Sequence, residues 1–299
     1  MDFPDGSGVE GKGHGVEGLN GVGVAVLLGL AAALAMVLQP RWRRARRERV
    51  AAQPLPEAWR QALRDQVPLL ARLPAPRQRQ LRQRLQVFLA EVPFIGCAGL
   101  EVTEAMRLSI AAQACLLLLG RPEASYESLR QVLVYPGGFV VDRQRRDEAG
   151  VVHEERVAHA GESWAEGQVV LSWDDVAYGA EVPDDGMNVV LHEFAHQLDQ
   201  AGLRVLSGPP GPQDAPAPPA TARAHAAWQA RLDEAFEAFC ARCAAGRPGL
   251  LDPYGATAPE EFFAVATEAF FEQPLAMRYQ LPGLYADLQA FYGQDPAGW

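Results

Sequence analysis

Apolar and polar positions alternate with different periods along this chain, and the period changes mark its elements. Residues 19–38 are apolar almost throughout and carry no charge. As a helix that stretch would span about 30 Å, the thickness of a bilayer's hydrocarbon core. Between residues 57 and 120 the pattern predicts helices. Leu69, Leu70 and Leu73 precede a break at Pro74 and Pro76, and Leu81, Leu85 and Phe88 resume at helical spacing. Residues 106–119 are apolar almost all round, which predicts a buried core helix; at about fourteen residues it is too short to cross a membrane. From 129 to 176 the character changes. The short β-rich runs 132–135, 139–141 and 169–173 predict strands, with Gly137, Gly138 and Gly150 at turns. The run 169–173 is expected to be a sheet edge that holds an extended peptide.

Helical spacing then returns with Met187, Val190, Leu191, Phe194 and Leu198, behind start signals at Asp184, Asp185 and Gly186. Residues 208–220 hold six prolines and can be neither helix nor central strand. That segment either gates the neighbouring cleft or is a solvated insertion. Residues 223–245 predict a long helix and residues 274–292 a helical hairpin.

The helix predicted around residue 194 carries His192-Glu193-Phe194-Ala195-His196. Residues four apart share one face, so both imidazoles can reach one metal ion, and Glu193 can address the water that the ion activates. The motif fixes only three residues, and a buried helix with two hydrogen-bonded histidines would look alike. A catalytic zinc site needs a third protein ligand and an open position. The better candidate is downstream. Thr257 and Glu260 have capping-box spacing, with Pro259 in the first turn. Glu260 would then fold back onto the Thr257 N–H, leaving Glu261 to point inward as the third ligand. Glu268, seven residues on, shares that face and is expected to bond a ligand histidine. Asp199, seven residues after His192, is either an orienting carboxylate for an imidazole or a helix-end surface acid. His14, His153, His159 and His225 are weaker ligand candidates.

These residues resemble the family of the Mlc titration factor A, a group of bacterial zinc-dependent peptidases. The likeness rests on the run from His192 to Asp199, on Tyr254, on Glu261 to the double Phe270-Phe271, and on residues 134–142, 169–173 and 291–296. It covers roughly positions 57–296. The Tyr with Glu-Phe-Phe-Ala is also distantly similar to the catalytic domain of anthrax lethal factor. The resemblance implies one Zn²⁺ per chain held by His192, His196 and Glu261, with Glu193 as general base. It further implies Tyr254 as hydrogen-bond donor to the oxyanion. It implies a metallopeptidase with aminopeptidase activity on a peptide or protein substrate. The alternative it carries is a regulatory protein that sequesters an Mlc-like transcriptional repressor. A role in regulating glucose uptake goes with that family.

Composition narrows the partners. The net charge is −10, and arginines cluster near the N-terminus, so the remainder is more acidic still; direct nucleic-acid binding is not expected. Four cysteines in a chain of 299 residues do not make a disulfide framework. Cys240 and Cys243 fall three apart on one predicted helix and read as structural. A secretory signal would carry its positive charges before the apolar run. Here Arg41, Arg43, Arg44, Arg46, Arg47 and Arg49 follow it, which places everything downstream on the cytoplasmic side. The expected location is the inner membrane, single-pass, with the catalytic part in the cytoplasm; a soluble cytoplasmic protein is the alternative.

The expected fold is α+β, a zincin-like core with a small mixed sheet, an N-terminal helical part and an N-terminal transmembrane helix. The expected divisions are a disordered Gly-rich head (1–18), the transmembrane helix (19–38), a basic juxtamembrane linker (39–56), a helical part (57–128) and the catalytic part (129–299).

Overall fold

Proline sets the start of helix after helix in this protein. Its missing N–H costs nothing in a first turn, and its fixed φ suits the helix. A computed structural model describes residues 17–121, 125–126, 128–146, 152–159, 161–164, 167–200, 219–247 and 249–299. Within these, α3 (Ala75–Glu91) begins where Pro74 and Pro76 interrupt the preceding pattern. Pro219, Pro259, Pro274 and Pro282 open α7 (Pro219–Ala244), α8 (Pro259–Glu272), α9 (Pro274–Gln280) and α10 (Pro282–Tyr292). The other helices are α1 (Glu17–Ala51), α2 (Glu57–Gln66), α4 (Glu104–Leu116), α5 (Trp173–Glu181) and α6 (Val189–Gln200). The proline-rich segment 208–220 lies almost wholly outside the described residues.

The chain divides into two compact units, Met1–Ala52 and Gln53–Trp299. The first is built on α1. The basic stretch expected to be a linker is helical as far as Ala51. Arginine and alanine are good helix formers, and Arg44 Nε donates to Glu48 Oε1 one turn on, at 3.2 Å. Leu27, Leu28, Met36 and Val37 are exposed. By length and composition, the helix over Val24–Ala51 could cross a membrane.

The second unit is α+β. Its sheet has the order β1 (Phe94–Gly96), β2 (Gln131–Tyr135), β6 (Gln168–Ser172), β5 (Gly161–Trp164). The first three run parallel and β5 is antiparallel to β6, with Val132 opposite Val169 and Val134 opposite Leu171. The run 169–173 is therefore not an edge. β6 lies between β2 and β5, and Val169, Val170 and Leu171 are buried, as an interior parallel strand requires. The edges are β1 and β5. β1 falls within the stretch expected to be all helix; three residues are too few to show a period. A separate antiparallel pair, β3 (Phe139–Arg146) and β4 (Val152–His159), carries the expected strand at 139–141 well beyond Val141.

Two helices form the centre. α4 is buried from Leu108 to Leu116, as its apolar circumference predicts. α8 is buried from Phe262 to Glu272. Phe262, Phe263, Phe270 and Phe271 fill its surroundings together with Phe291 and Tyr292. Phe194 on α6 packs on Tyr126 and Phe88, with ring centroids 5.0 and 5.8 Å apart. Burying such a ring contributes about 1.5–3 kcal/mol, so α6 is held from beneath by its apolar face. The close of α10 needs glycine twice. Gly293 has φ 59°, and a Cβ at Gly120 would lie 1.9 Å from the Tyr292 carbonyl oxygen.

Candidate metal centre

His192 and His196 sit one turn apart on α6, with ring centroids 4.9 Å apart. Glu261, in the first turn of α8, faces both. Its Oε2 is 3.0 Å from His192 Nε2 and 3.3 Å from His196 Nε2. Two ligands each roughly 2.0–2.1 Å from a tetrahedral zinc ion stand about 3.3 Å apart. The two nitrogens and the carboxylate oxygen all lie within 4.8 Å of one another, so this donor set can hold such an ion.

The capping box expected at the start of α8 does not form. Ala258 is the cap residue and offers no side-chain bond. Thr257 closes the preceding short turn Pro253–Ala256 instead: its N–H and its hydroxyl both donate to the Tyr254 carbonyl, at 3.0 and 2.7 Å. Glu260 is left exposed, and Glu261 still turns inward, because position on the helix and not the cap decides it. The start of α6 also differs from expectation. Asn188 is the capping residue, its Oδ1 accepting from Leu191 N at 3.1 Å; Asp184, Asp185 and Gly186 lie outside the helix.

Glu268, on the same face of α8 as Glu261, meets both His192 and the start of α6. Its Oε1 accepts from His192 Nδ1 at 2.7 Å, and its Oε2 accepts from the backbone N–H of Asn188. The His192 bond orients the ring so that Nε2 faces Glu261. Asp199 is half-buried in the last turn of α6. Glu193 is 4% exposed beside His192 and its charge acts on that ring. Tyr254 is 46% exposed, with its ring centroid 6.1 Å from that of His192. His14 is outside the described residues, as are the side chains of His153, His159 and His225.

The electrostatics follow from burial and pairing. Burial opposes charge on His192, yet hydrogen bonds to Glu261 and Glu268 hold its pKa well above the usual value. Burial also works against an ionised Glu261, but the His192 and His196 imidazoles hold its pKa well below the carboxylate range. Burial pushes Glu268 up despite His192. Hydrogen bonds from the two rings thus favour an ionised Glu261, as a bound cation would.

Three residues of this region escaped the reading of the sequence. Asn188 Nδ2 donates to Glu272 Oε1 and to Gln113 Oε1, both at 2.8 Å. Glu272 is 2% exposed, and its Oε2 accepts from Gly186 N at 3.1 Å. Burial pushes its pKa up to about 8. Two signals were present. An Asn directly before a periodic apolar run is a preferred N-cap, and Glu261, Glu268 and Glu272 are spaced seven and four apart, along one helix face. Nothing in the sequence marks Gln113, which reads as one polar residue in an apolar helix. The cysteines are free, and Cys240 Sγ contacts the Ala256 carbonyl oxygen at 3.7 Å in a packing role.

The sequence matches the family described as glucose-regulated metallo-peptidase M90 over residues 40–293. An uncharacterized protein of Synechocystis sp. is 38% identical over 261 residues, 86% of this chain and 91% of the relative. The Mlc titration factor A of Klebsiella pneumoniae is 35% identical over 240 residues, covering 80% of this chain and 86% of the relative. That of Cronobacter sakazakii is 34% identical over 245 residues, covering 81% and 87%. The family match begins past the apolar stretch of α1.

Proposed function

The chain belongs to the glucose-regulated M90 metallopeptidase family, also represented by the Mlc titration factor A proteins, and from that premise we propose that it is a zinc-dependent aminopeptidase with a zincin-like core. The observation that carries this is the convergence of His192 Nε2, His196 Nε2 and Glu261 Oε2 at separations suited to one zinc ion. Zinc bound there supplies a Lewis acid that polarises the scissile carbonyl and makes water a nucleophile at neutral pH. The Glu193 carboxylate accepts the proton of the attacking water and passes it to the departing amine. The Tyr254 hydroxyl hydrogen-bonds the oxygen on which negative charge develops. Glu268 keeps the His192 Nδ1 proton, so the ring neither rotates nor changes tautomer. The strand β5, at the sheet edge and packed against α6, is suited to hold an extended peptide through its backbone.

Tyr254→Phe tests one part of this. Loss of a single oxyanion donor is expected to lower kcat by about 10²-fold. Zinc content should not change; unchanged kcat would remove Tyr254 from the chemistry. The whole reading is tested with the full chain, zinc-loaded in detergent, on free-amine and N-blocked aminoacyl anilides. Cleavage of the free-amine set alone is expected. Cleavage of blocked peptides instead would make it an endopeptidase, and a folded zinc-bearing chain inert on both would sink the peptidase reading.

The relatives named Mlc titration factor A support a second role, binding of an Mlc-like repressor at a surface apart from the metal centre. We also assign α1 as a single-pass anchor in the inner membrane with the catalytic part cytoplasmic, supported by its exposed apolar stretch and the arginines that follow. Full-length chain should resist carbonate extraction from membranes, and deletion of residues 19–38 should release it. Release of both forms alike would refute the anchor.

A further inference from the structure

α8 carries three carboxylates on one face, and only the first two were expected to act at the metal centre. The third, Glu272, is the last residue of the helix and is almost fully buried. It does not touch the ligands. It holds the chain that leads into α6, through the Asn188 side chain and the Gly186 N–H. One turn earlier, Glu268 holds the same chain through the Asn188 N–H and the His192 ring. Two carboxylates one turn apart on α8 thus grip residues 186–192 at four points.

Asn188 takes two of the four, and it is 1% exposed. Its backbone N–H serves Glu268. Its carbonyl accepts from His192 N at 2.9 Å, and its side-chain oxygen caps α6. Its amide hydrogens serve Glu272 and Gln113, which ties in α4. A capping residue needs only an acceptor, and serine or aspartate would do as well. The two amide donors are beyond what a cap requires. They point at acceptors on three other helices, Glu272 of α8, Gln113 of α4 and, at 3.3 Å, the Gly179 carbonyl of α5, and they fix where the backbone N–H sits relative to Glu268.

We infer that Asn188 is a positioning residue of the metal centre: its amide bonds to Glu272 and Gln113 hold its own N–H against Glu268, and Glu268 in turn holds His192 in the orientation that binds zinc. The inference rests on the zinc-peptidase reading and deepens it. Glu272 works at one further remove, as the anchor for the Asn188 amide. The same grip sets α6 against α8 and with it the distance from the two imidazoles to Glu261. A residue with a merely structural role would alter stability and leave metal affinity alone. Asn188 acts through Glu268, so the two should not act independently on zinc.

The test uses the full chain in detergent and zinc alone as the probe. Affinity is read by competition with a chromophoric chelator, and the melting temperature of each metal-free protein is read beside it. Asn188→Ser keeps the cap acceptor and removes both amide donors. It is expected to weaken zinc binding about tenfold, within the range for loss of an outer partner of a ligand. Glu268→Gln should cost at least as much, and the double variant no more than Glu268→Gln alone. Wild-type affinity in folded Asn188→Ser overturns the inference, as does a double variant whose loss is the product of the two single losses. If Asn188→Ser does not fold, Glu272→Ala, at the very end of α8, carries the same test with an expected loss of about threefold or more, and wild-type affinity there overturns it equally. A wild-type chain that binds no stoichiometric zinc fails earlier and separately, because it removes the metal reading before any variant is compared.

Discussion

Glu193→Gln is expected to lower kcat/KM by about 10³-fold while the protein keeps its full complement of zinc. Glu193 lies directly after the first histidine of α6 and is buried there, with its charge acting on His192. Its proposed work is proton transfer, from the attacking water and then to the leaving amine. General base catalysis is worth about 10²–10⁴-fold, and a loss of about 10³ corresponds to about 4 kcal/mol of transition-state stabilisation. Glutamine has nearly the same shape but cannot take a proton. The proposed zinc donors His192, His196 and Glu261 are untouched by the change, so metal affinity and melting temperature should move little. The measurement pairs kcat/KM on a free-amine anilide with zinc per chain. Activity within tenfold of wild type, at full zinc occupancy, would mean that the base lies elsewhere. Lost zinc would mean that Glu193 shapes the site and its catalytic part cannot be read from the variant.

Glu261→Ala should remove the metal and with it all activity. Glu261 is the donor that α8 supplies, and the two imidazoles of α6 converge on its Oε2 at 3.0 and 3.3 Å. Losing a partner that only orients a ligand costs about 10–100-fold in metal affinity. Losing a ligand itself should therefore cost more than about 100-fold. The effect can be read without substrate. At free zinc about 100 times the wild-type Kd, zinc stabilises the wild type by about 2.7 kcal/mol, and a variant weakened 100-fold by only about 0.4 kcal/mol. The zinc-dependent rise in melting temperature should thus nearly vanish. A variant that retains that rise would mean that another group completes the site, and the assignment of Glu261 as third ligand would fall.

Much of this was legible in the chain because its signals are local. The spacing of His192 and His196 needs only the helical period, and the apolar positions of α6 supply the helix. Glu268 follows from Glu261 by the same period on α8. The capping box at Thr257 was misjudged for a local reason: the same hydroxyl had a nearer acceptor in the Tyr254 carbonyl. The edge assigned to residues 169–173 was misjudged for a global one. A buried run of β-branched residues reads alike at an edge or in the interior, and only pairing with β2 and β5 places β6 between them.

The sequence by itself determined which residues could share one candidate metal centre, since a period of 3.6 puts residues four and seven apart on one face of any helix. It also determined the long apolar helix at the N-terminus and the change from helices to strands near residue 129. The tertiary structure alone decided how α6 is set against α8. That relation depends on Asn188, Gln113, Gly186 and Glu272, which are 75 to 86 residues apart across their bonds and have no common period. Side-chain hydrogen bonds between distant elements leave no mark in a local pattern. They form only where the packing of α6 on α8 brings the two helices together and excludes water between them, because a buried polar group is tolerated only where its partner has been folded to meet it.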